Sequence, residues 1–486
     1  MDDPLECSAT ELSRRIRQRE ISCRELMHHT LERVRVLNPR FNALVSLQDG
    51  DDLLQQADER DTQLDRGERC GWMHGFPLAV KDLSAVRGLP TTRGSPLFKN
   101  NVPDFDALFV QRMKQAGAIV IGKTNTPEFG LGSHTYNTVF GTTLNAYDDT
   151  RTAGGSSGGA AVALALRMLP VADGSDMGGS LRNPAAFNNV YGLRPSFGRV
   201  PSVPALDNFF QQLGTEGPMA RSPEDLARLL AIQSGRDARA PLSLYGEGAD
   251  ADADALTLEV QVRGLRIGWL GSIWPDLPVA PGILGMCESG LHLLEGLGCH
   301  IAPAVLDFAR ERSWSAWITL RQFSVGGVLA GDHADPVRRA QFKPEAIWEV
   351  EGYLRLSAVD VHRATVDRSA LYQAVLALFD QHDVLVAPTA QVFPFEANRH
   401  WPECIGDVQM DSYHRWMEVI TPMTLTGLPT VSVPLGFNAD GLPMGMQLIG
   451  RPGADHALLG LAQQYHLASQ WPQTRRPPAL AALHGA

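Results

Sequence analysis

Gly75-Phe-Pro-Leu-Ala-Val-Lys-Asp82 and Ala118-Ile-Val-Ile-Gly122 set the architecture of this chain. Each holds a short apolar run that fits a buried strand, the first ending at Lys81. Between them, residues 107–116 read as a helix. This strand–helix–strand rhythm predicts an α/β fold, with a sheet covered by helices on both faces.

Toward the N-terminus, residues 8–37 read as helical. Ser8 is expected to cap a first helix, with Glu11 completing a capping box and Leu12 and Ile16 sharing one face. A second helix is expected from Ser22 to about residue 37, ended by Asn38-Pro39. Toward the C-terminus, residues 153–205 are rich in Gly, Ser and Pro, yet contain the apolar run 160–169. Small residues flanking a buried helix suggest backbone packed close to chemistry. Residues 235–257 are small and polar and read as a surface loop. They are no domain boundary, because a strand-like run at 265–269 follows at once. Further helices are expected at 283–297, 358–380 and 455–469, and strands at 384–387, 430–433 and 446–449. With no internal repeat, the chain reads as one domain over 1–486. Its parts are a helical region at 1–65, a core at 75–205, a variable region at 235–425, and closing strands and helix at 426–486.

A chain of 486 residues, 44% hydrophobic and 20% charged, has ample material for a large buried core. Its net charge of -11 repels phosphate backbones, so nucleic acid is not an expected partner. The cysteines at 7, 23, 70, 287, 299 and 404 form no CxxC pair, so no metal site is suggested. They read as reduced, mostly buried thiols of a cytoplasmic protein. The first residues lack the basic and then apolar pattern of a signal peptide. The most apolar stretch, 160–166, is interrupted by Arg167 and is too short to span a bilayer, so no membrane association is expected.

Three segments carry candidate chemistry: Gly75 to Asp82, Gly154-Gly-Ser-Ser-Gly-Gly159, and Gly174-Ser-Asp-Met-Gly-Gly-Ser-Leu-Arg182. In the third, two glycines precede Ser180 and a helix start. Glycines let successive N–H groups converge on one point, which is an oxyanion hole in outline, although an ordinary glycine loop gives the same pattern. In the second, the serine pair fits a helix N-cap. It also matches G-x-S-x-G through Gly154, Ser156 and Gly158, but a nucleophile elbow needs a strand before it, and residues 145–153 read as loop. No GK[ST] follows, so a Walker loop is excluded. Lys81 closes an apolar run. Lysines are mostly solvated, but one desolvated at a buried strand end has a lowered pKa and supplies a neutral amine base near neutral pH. Asp82, its neighbour, is expected to face the other way.

Together these segments resemble the amidase signature family. The resemblance extends over GFPLAVKD at 75–82, KTNTPEFG at 123–130, GGSSGG at 154–159, residues 174–182 and 192–200, and the C-terminal stretches 427–434 and 441–447. The spacing of Ser156 and Ser180 is also the family's. The resemblance implies Ser180 as nucleophile, Ser156 as proton bridge and Lys81 as base, with a cis peptide bond at Gly155–Ser156. It implies an oxyanion hole from the N–H groups of Met177, Gly178, Gly179 and Ser180. Ser157, Asp176 and Arg182 match supporting positions that hold the two loops together, and Gly130, Leu131 and Gly132 match the loop beside the scissile carbonyl. The fold implied is a single α/β/α domain with a large twisted mixed sheet. The activity implied is hydrolysis of a carboxylic amide through an acyl-enzyme, with no cofactor or metal and a small-molecule amide as substrate. The sequence departs from the family's pattern at Ala153, Asn188, Asn189 and Arg194, which bear on loop geometry and not on the relay.

Competing readings are a Ser-His-Asp hydrolase using Ser156 and a late histidine, the amidase subunit of a glutamine-dependent amidotransferase, and a catalytically dead scaffold. The missing strand before Ser156, the missing arginine-rich glutamine-binding segment and the intact Lys81, Ser156 and Ser180 weigh against them in turn. His134 lies in a loop expected near the site, where a satisfied polar role is the commoner one. Segments at about 310–330 and 400–425 are expected to build the acyl pocket. Their Trp314, Trp317, Phe323, Trp401, Tyr413 and Trp416 suggest aryl or hydrophobic amides, or else are core residues. A homodimer is a common outcome for such enzymes.

Overall fold

The computed structural model of the chain describes residues 3–244 and 253–481, so the middle of the polar stretch 235–257 lies outside the described residues. Ser8 caps the helix Ala9–Arg17 by accepting from the Glu11 N–H, but no capping box closes there, because the Glu11 carboxylate turns to Arg14. The box forms one helix later, where Ser22 and Glu25 exchange both bonds at the start of Cys23–Phe41. This helix does not stop at Asn38-Pro39: Pro39 sits inside it, and the left-handed Asn42 ends it. A proline removes one helical hydrogen bond. The Asn38 side chain meets Leu44 O, Ala43 N–H and Leu44 N–H instead, tying the helix end to the next strand.

The strands that build the sheets are β1 Leu44–Val45, β2 Pro77–Lys81, β3 Ile119–Thr124, β4 Val171–Asp176, β5 Tyr191–Arg194 and β6 Thr215–Ala220, followed by β7 Arg266–Trp269, β8 His300–Pro303, β9 Val384–Pro388, β10 Thr430–Phe437 and β11 Pro443–Ile449. An 8-stranded mixed sheet has the order β8-β7-β9-β11-β10-β5-β6-β4, parallel across β8-β7-β9 and antiparallel elsewhere. β2 and β3, which set the architecture in the sequence, do pair in parallel, but in a separate 3-stranded sheet, β1-β3-β2. β2 lies beside β4, and a side chain makes the junction: the Asp173 carboxylate accepts the Lys81 backbone N–H at 3.2 and 3.3 Å. A buried carboxylate therefore links the sheets where Lys81 leaves β2.

Helices cover both faces, giving an α/β/α domain. Gly158–Ala165 is buried at every residue. Its first turn passes so close to other backbone that a Cβ on Gly159 would overlap Asn125 N and Ala43 O, so this approach requires glycine. The cysteines are all free, but only Cys23, Cys287 and Cys299 are buried. Cys70 and Cys404 are exposed, against the expectation of mostly buried thiols. Among the described residues, no helix is long and apolar enough to cross a membrane.

Candidate active site

Lys81, the last residue of β2, has no solvent exposure. Its Nζ donates to Ser156 Oγ at 2.8 Å, Ser157 Oγ at 2.8 Å, Ser175 Oγ at 3.0 Å and Ser175 O at 3.3 Å. Burial pushes its pKa down, against the opposing pull of the Glu216, Asp173 and Asp176 carboxyls. Asp82 faces away, accepting from the Thr92 N–H and hydroxyl.

Ser156 sits in a loop and follows a cis peptide bond at Gly155–Ser156. Only isolated bridges at Arg151 and Thr152 precede it, so a nucleophile elbow has no strand to stand on there. The strand–turn–helix arrangement surrounds Ser180 instead, between β4 and the helix Arg182–Phe187. Ser156 and Ser180 line one cavity of about 280 Å³. The Ser157 N–H donates to Ser180 O at 3.2 Å and ties the two serine loops together. Among the described residues, no hydrogen bond engages Ser180 Oγ, so the geometry joins Lys81 to Ser156 and leaves Ser180 free within the same cavity.

Asp176 organises the loop before Ser180. Its carboxylate accepts from the Gly179 N–H at 2.9 Å, the Leu181 N–H at 3.2 Å and Arg182 Nε at 3.1 Å. Burial opposes its ionisation, but the Arg182 and Arg194 guanidiniums prevail and hold the carboxyl well below the usual carboxylate range. The nest differs from the one expected: of its four N–H groups, that of Gly179 is already taken by Asp176, and Met177, Gly178 and Ser180 are the ones that line the cavity. Nor do Asp176 and Arg182 bridge the serine loops. Arg182 fastens the Ser180 loop to Ile420 O, the Gln447 side chain and Thr424, while Ser157 makes the bridge.

Gly130, Leu131 and Gly132 line the cavity beside Ser156. The six aromatics expected to line an acyl pocket do not. Trp317 and Trp416 are wholly buried, and Trp317 and Tyr413 stand behind the lining residues Gly178 and Gly132. The walls come instead from residues 197–216, together with Leu83, Phe129, Arg321, Val325 and Met417. His134 is satisfied by Thr152 Oγ1 at 2.7 Å and Ala397 O at 3.0 Å, and burial pushes it down to about 4. No histidine among the described residues bonds Ser156.

Sequence reasoning missed Ser175 and Glu216, and gave Arg194 only a bearing on loop geometry. Ser175 had a signal, since strand alternation places it on the same face as Asp173, which takes the Lys81 N–H. Arg194 bonds Asp176 O and Leu213 O from β5, and Glu216 reaches the cavity from β6. Glu216 had no local signal, because strand pairing alone brings it to the site.

Known proteins match this chain along most of its length. The sequence model of the Amidase family matches residues 25–459. An acylamidase of Rhodococcus erythropolis is 32% identical over 467 residues, covering 96% of each chain. One component of the glutamyl-tRNA(Gln) amidotransferase of Synechococcus elongatus is 32% identical over 500 residues, covering 97% of this chain and 100% of the other. Among solved structures, a bacterial aryl acylamidase of the amidase signature family superposes with a TM-score of 0.88 at 28% identity, over 96% of this chain and 99% of that one.

Proposed function

This chain belongs to the amidase family, and from that premise we propose that it hydrolyses aryl or hydrophobic carboxylic amides with Ser180 as nucleophile, Ser156 as proton bridge and Lys81 as base. Amide hydrolysis by a Ser-Ser-Lys relay is the chemistry of the family. The observation that carries the residue roles is the 2.8 Å bond from a wholly buried Lys81 Nζ to Ser156 Oγ. Burial disfavours the ammonium, which supplies the amine form a base needs.

In this mechanism the neutral Lys81 accepts a proton from Ser156 as Ser156 accepts one from Ser180. Ser180 Oγ attacks the amide carbon, and a side-chain rotation brings it within reach of Ser156, as catalytic hydrogen bonds often tighten only with substrate bound. The oxyanion rests on the N–H groups of Met177, Gly178 and Ser180. Each such donor contributes about 3 kcal/mol to the transition state. The proton returns through Ser156 to the leaving nitrogen. Water then attacks the acyl-enzyme by the same relay, releasing the acid.

Apolar walls from Leu83, Phe129, Leu131, Val200, Val325 and Met417 support an aryl or hydrophobic acyl group, and so does the likeness to an aryl acylamidase. A second reading, the amidase component of a glutamine-dependent amidotransferase, is favoured by equal identity to such a protein over the whole chain.

Amine or ammonia release from aryl, alkyl and small polar amides, glutamine included, tests both. Turnover of aryl and alkyl amides is expected, with losses on the order of 10⁴-fold or more in Ser180→Ala, Ser156→Ala and Lys81→Ala. A preference for glutamine would transfer the chain to the second reading, and full activity in Ser180→Ala would remove Ser180 as nucleophile.

A further inference from the structure

Glu216 stands directly opposite Ser175 in the β4–β6 register. Opposed residues of an antiparallel pair project to the same face, with Cβ atoms about 5 Å apart. Ser175 Oγ is 3.0 Å from Lys81 Nζ, and Glu216, Ser175, Ser156 and Ser180 all line the same cavity. The Glu216 carboxyl thus shares a wall with the relay, one residue away from its base.

Three carboxyls act on Lys81: Asp173 and Asp176 from β4, and Glu216 from β6. Asp176 is matched by Arg182 and Arg194. Asp173 takes the Lys81 backbone N–H and feels the buried Lys123 ammonium on its other side. Glu216 Oε2, by contrast, is a buried oxygen with no hydrogen-bond partner among the described residues. Lys81 Nζ does not bond it, its donors being directed to Ser156, Ser157 and Ser175. A carboxyl oxygen held in this way costs stability, and a role at the site is a reason for its retention.

We propose that Glu216 is a positioning residue of the relay, which shares one proton with Lys81 across the cavity wall and so sets whether Lys81 stands as ammonium or amine. This rests on the relay reading above. The singly protonated pair has two forms: Lys81 ammonium with Glu216 carboxylate, and Lys81 amine with Glu216 carboxylic acid. Conversion moves one proton from Nζ to a carboxyl oxygen, leaves the net charge unchanged and needs no co-reactant. Burial pushes the Lys81 ammonium down and the Glu216 carboxyl up until the two overlap, so both forms are populated and the carboxylate of one raises the ammonium of the other. The two therefore titrate together, in steps that belong to the pair.

The test is the pH dependence of kcat/KM for wild type, Glu216→Gln and Lys81→Ala, on one amide that the wild type turns over. Gln keeps the shape and removes the negative charge that raises Lys81, so the acid limb is expected to move to lower pH by on the order of one unit. An acid limb in Glu216→Gln that coincides with wild type, while Lys81→Ala is inactive, overturns this inference and leaves the relay standing. Activity retained in Lys81→Ala overturns the relay reading itself. Should Glu216→Gln fail to fold, NMR titration of the Lys81 ammonium in the wild-type chain decides. A two-step curve is expected, and a single-site curve overturns the proposal.

Discussion

Arg182 grips Asp176 through both carboxylate oxygens, Nε to Oδ2 at 3.1 Å and NH2 to Oδ1 at 3.1 Å, and neither side chain has any solvent exposure. Leaving a buried charge wholly unmatched typically costs about 3–5 kcal/mol, and truncating Arg182 leaves Asp176 with only the longer Arg194 ion pair at 3.4 Å. Arg182→Ala is therefore expected to lower the unfolding free energy, read from the denaturant midpoint and slope, by up to that amount. Asp176 is held ionised below its unfolded value of 3.8. Its contribution is thus complete above that value and is lost as pH falls below it. Equal midpoints for wild type and Arg182→Ala near neutral pH would contradict this account.

Gly179 is the residue of the Ser180 loop least open to change. Its φ is +86°, and a Cβ there would overlap Ile420 Cδ1. Its N–H is also fixed on Asp176. Gly179→Ala must turn the peptide that precedes Ser180, and misplaced oxyanion donors cost roughly 10²–10³ in kcat. The expected outcome is that loss of kcat with a modest fall in Tm. Unchanged kcat would place the oxyanion elsewhere.

Much of this was readable in the sequence, because short apolar runs, helix caps and glycine clusters are local signals. Lys81 at a strand end and the Ser180 loop before a helix follow from residues within one segment. Pro39 misled because the cost it imposes is local, whereas the Asn38 contacts that offset it come from the strand beyond. The aromatics of 310–330 and 400–425 left two readings open, because a large ring suits a core as well as a pocket, and Trp317 and Trp416 belong to the core. Those segments do reach the cavity, through Arg321, Val325 and Met417, whereas Glu216 reaches it only through strand pairing, which no local pattern reveals.

Ser157 separates positioning from proton transfer. Its hydroxyl takes one of the Lys81 Nζ bonds at 2.8 Å, equal in length to the bond to Ser156, yet it does not line the cavity. Removing it loosens Lys81 without breaking the relay. A hydrogen bond to a charged group contributes about 1.5–3 kcal/mol, so Ser157→Ala should lower kcat by roughly 10- to 100-fold. Ser156→Ala should fall much further. Equal losses in the two variants, measured on one substrate at one pH, would mean that Ser156 has no special place in the transfer.

The pH profile should carry the signature of a buried lysine. Burial is the larger influence on Lys81 and pushes it from 10.5 down to about 8. The base is active only when deprotonated, so kcat/KM must rise with pH as that proton leaves. Its acid limb, shared between Lys81 and Glu216, should lie near 8 and below the ordinary lysine range. Histidine control would give a different limb: His134 is pushed down to about 4, and an unperturbed histidine titrates at about 6.5. A limb centred near 6.5 that survives in Lys81→Arg would therefore reject lysine as the base. A limb near 8 that vanishes with all activity in that variant would retain it, because an arginine guanidinium stays protonated across the whole range.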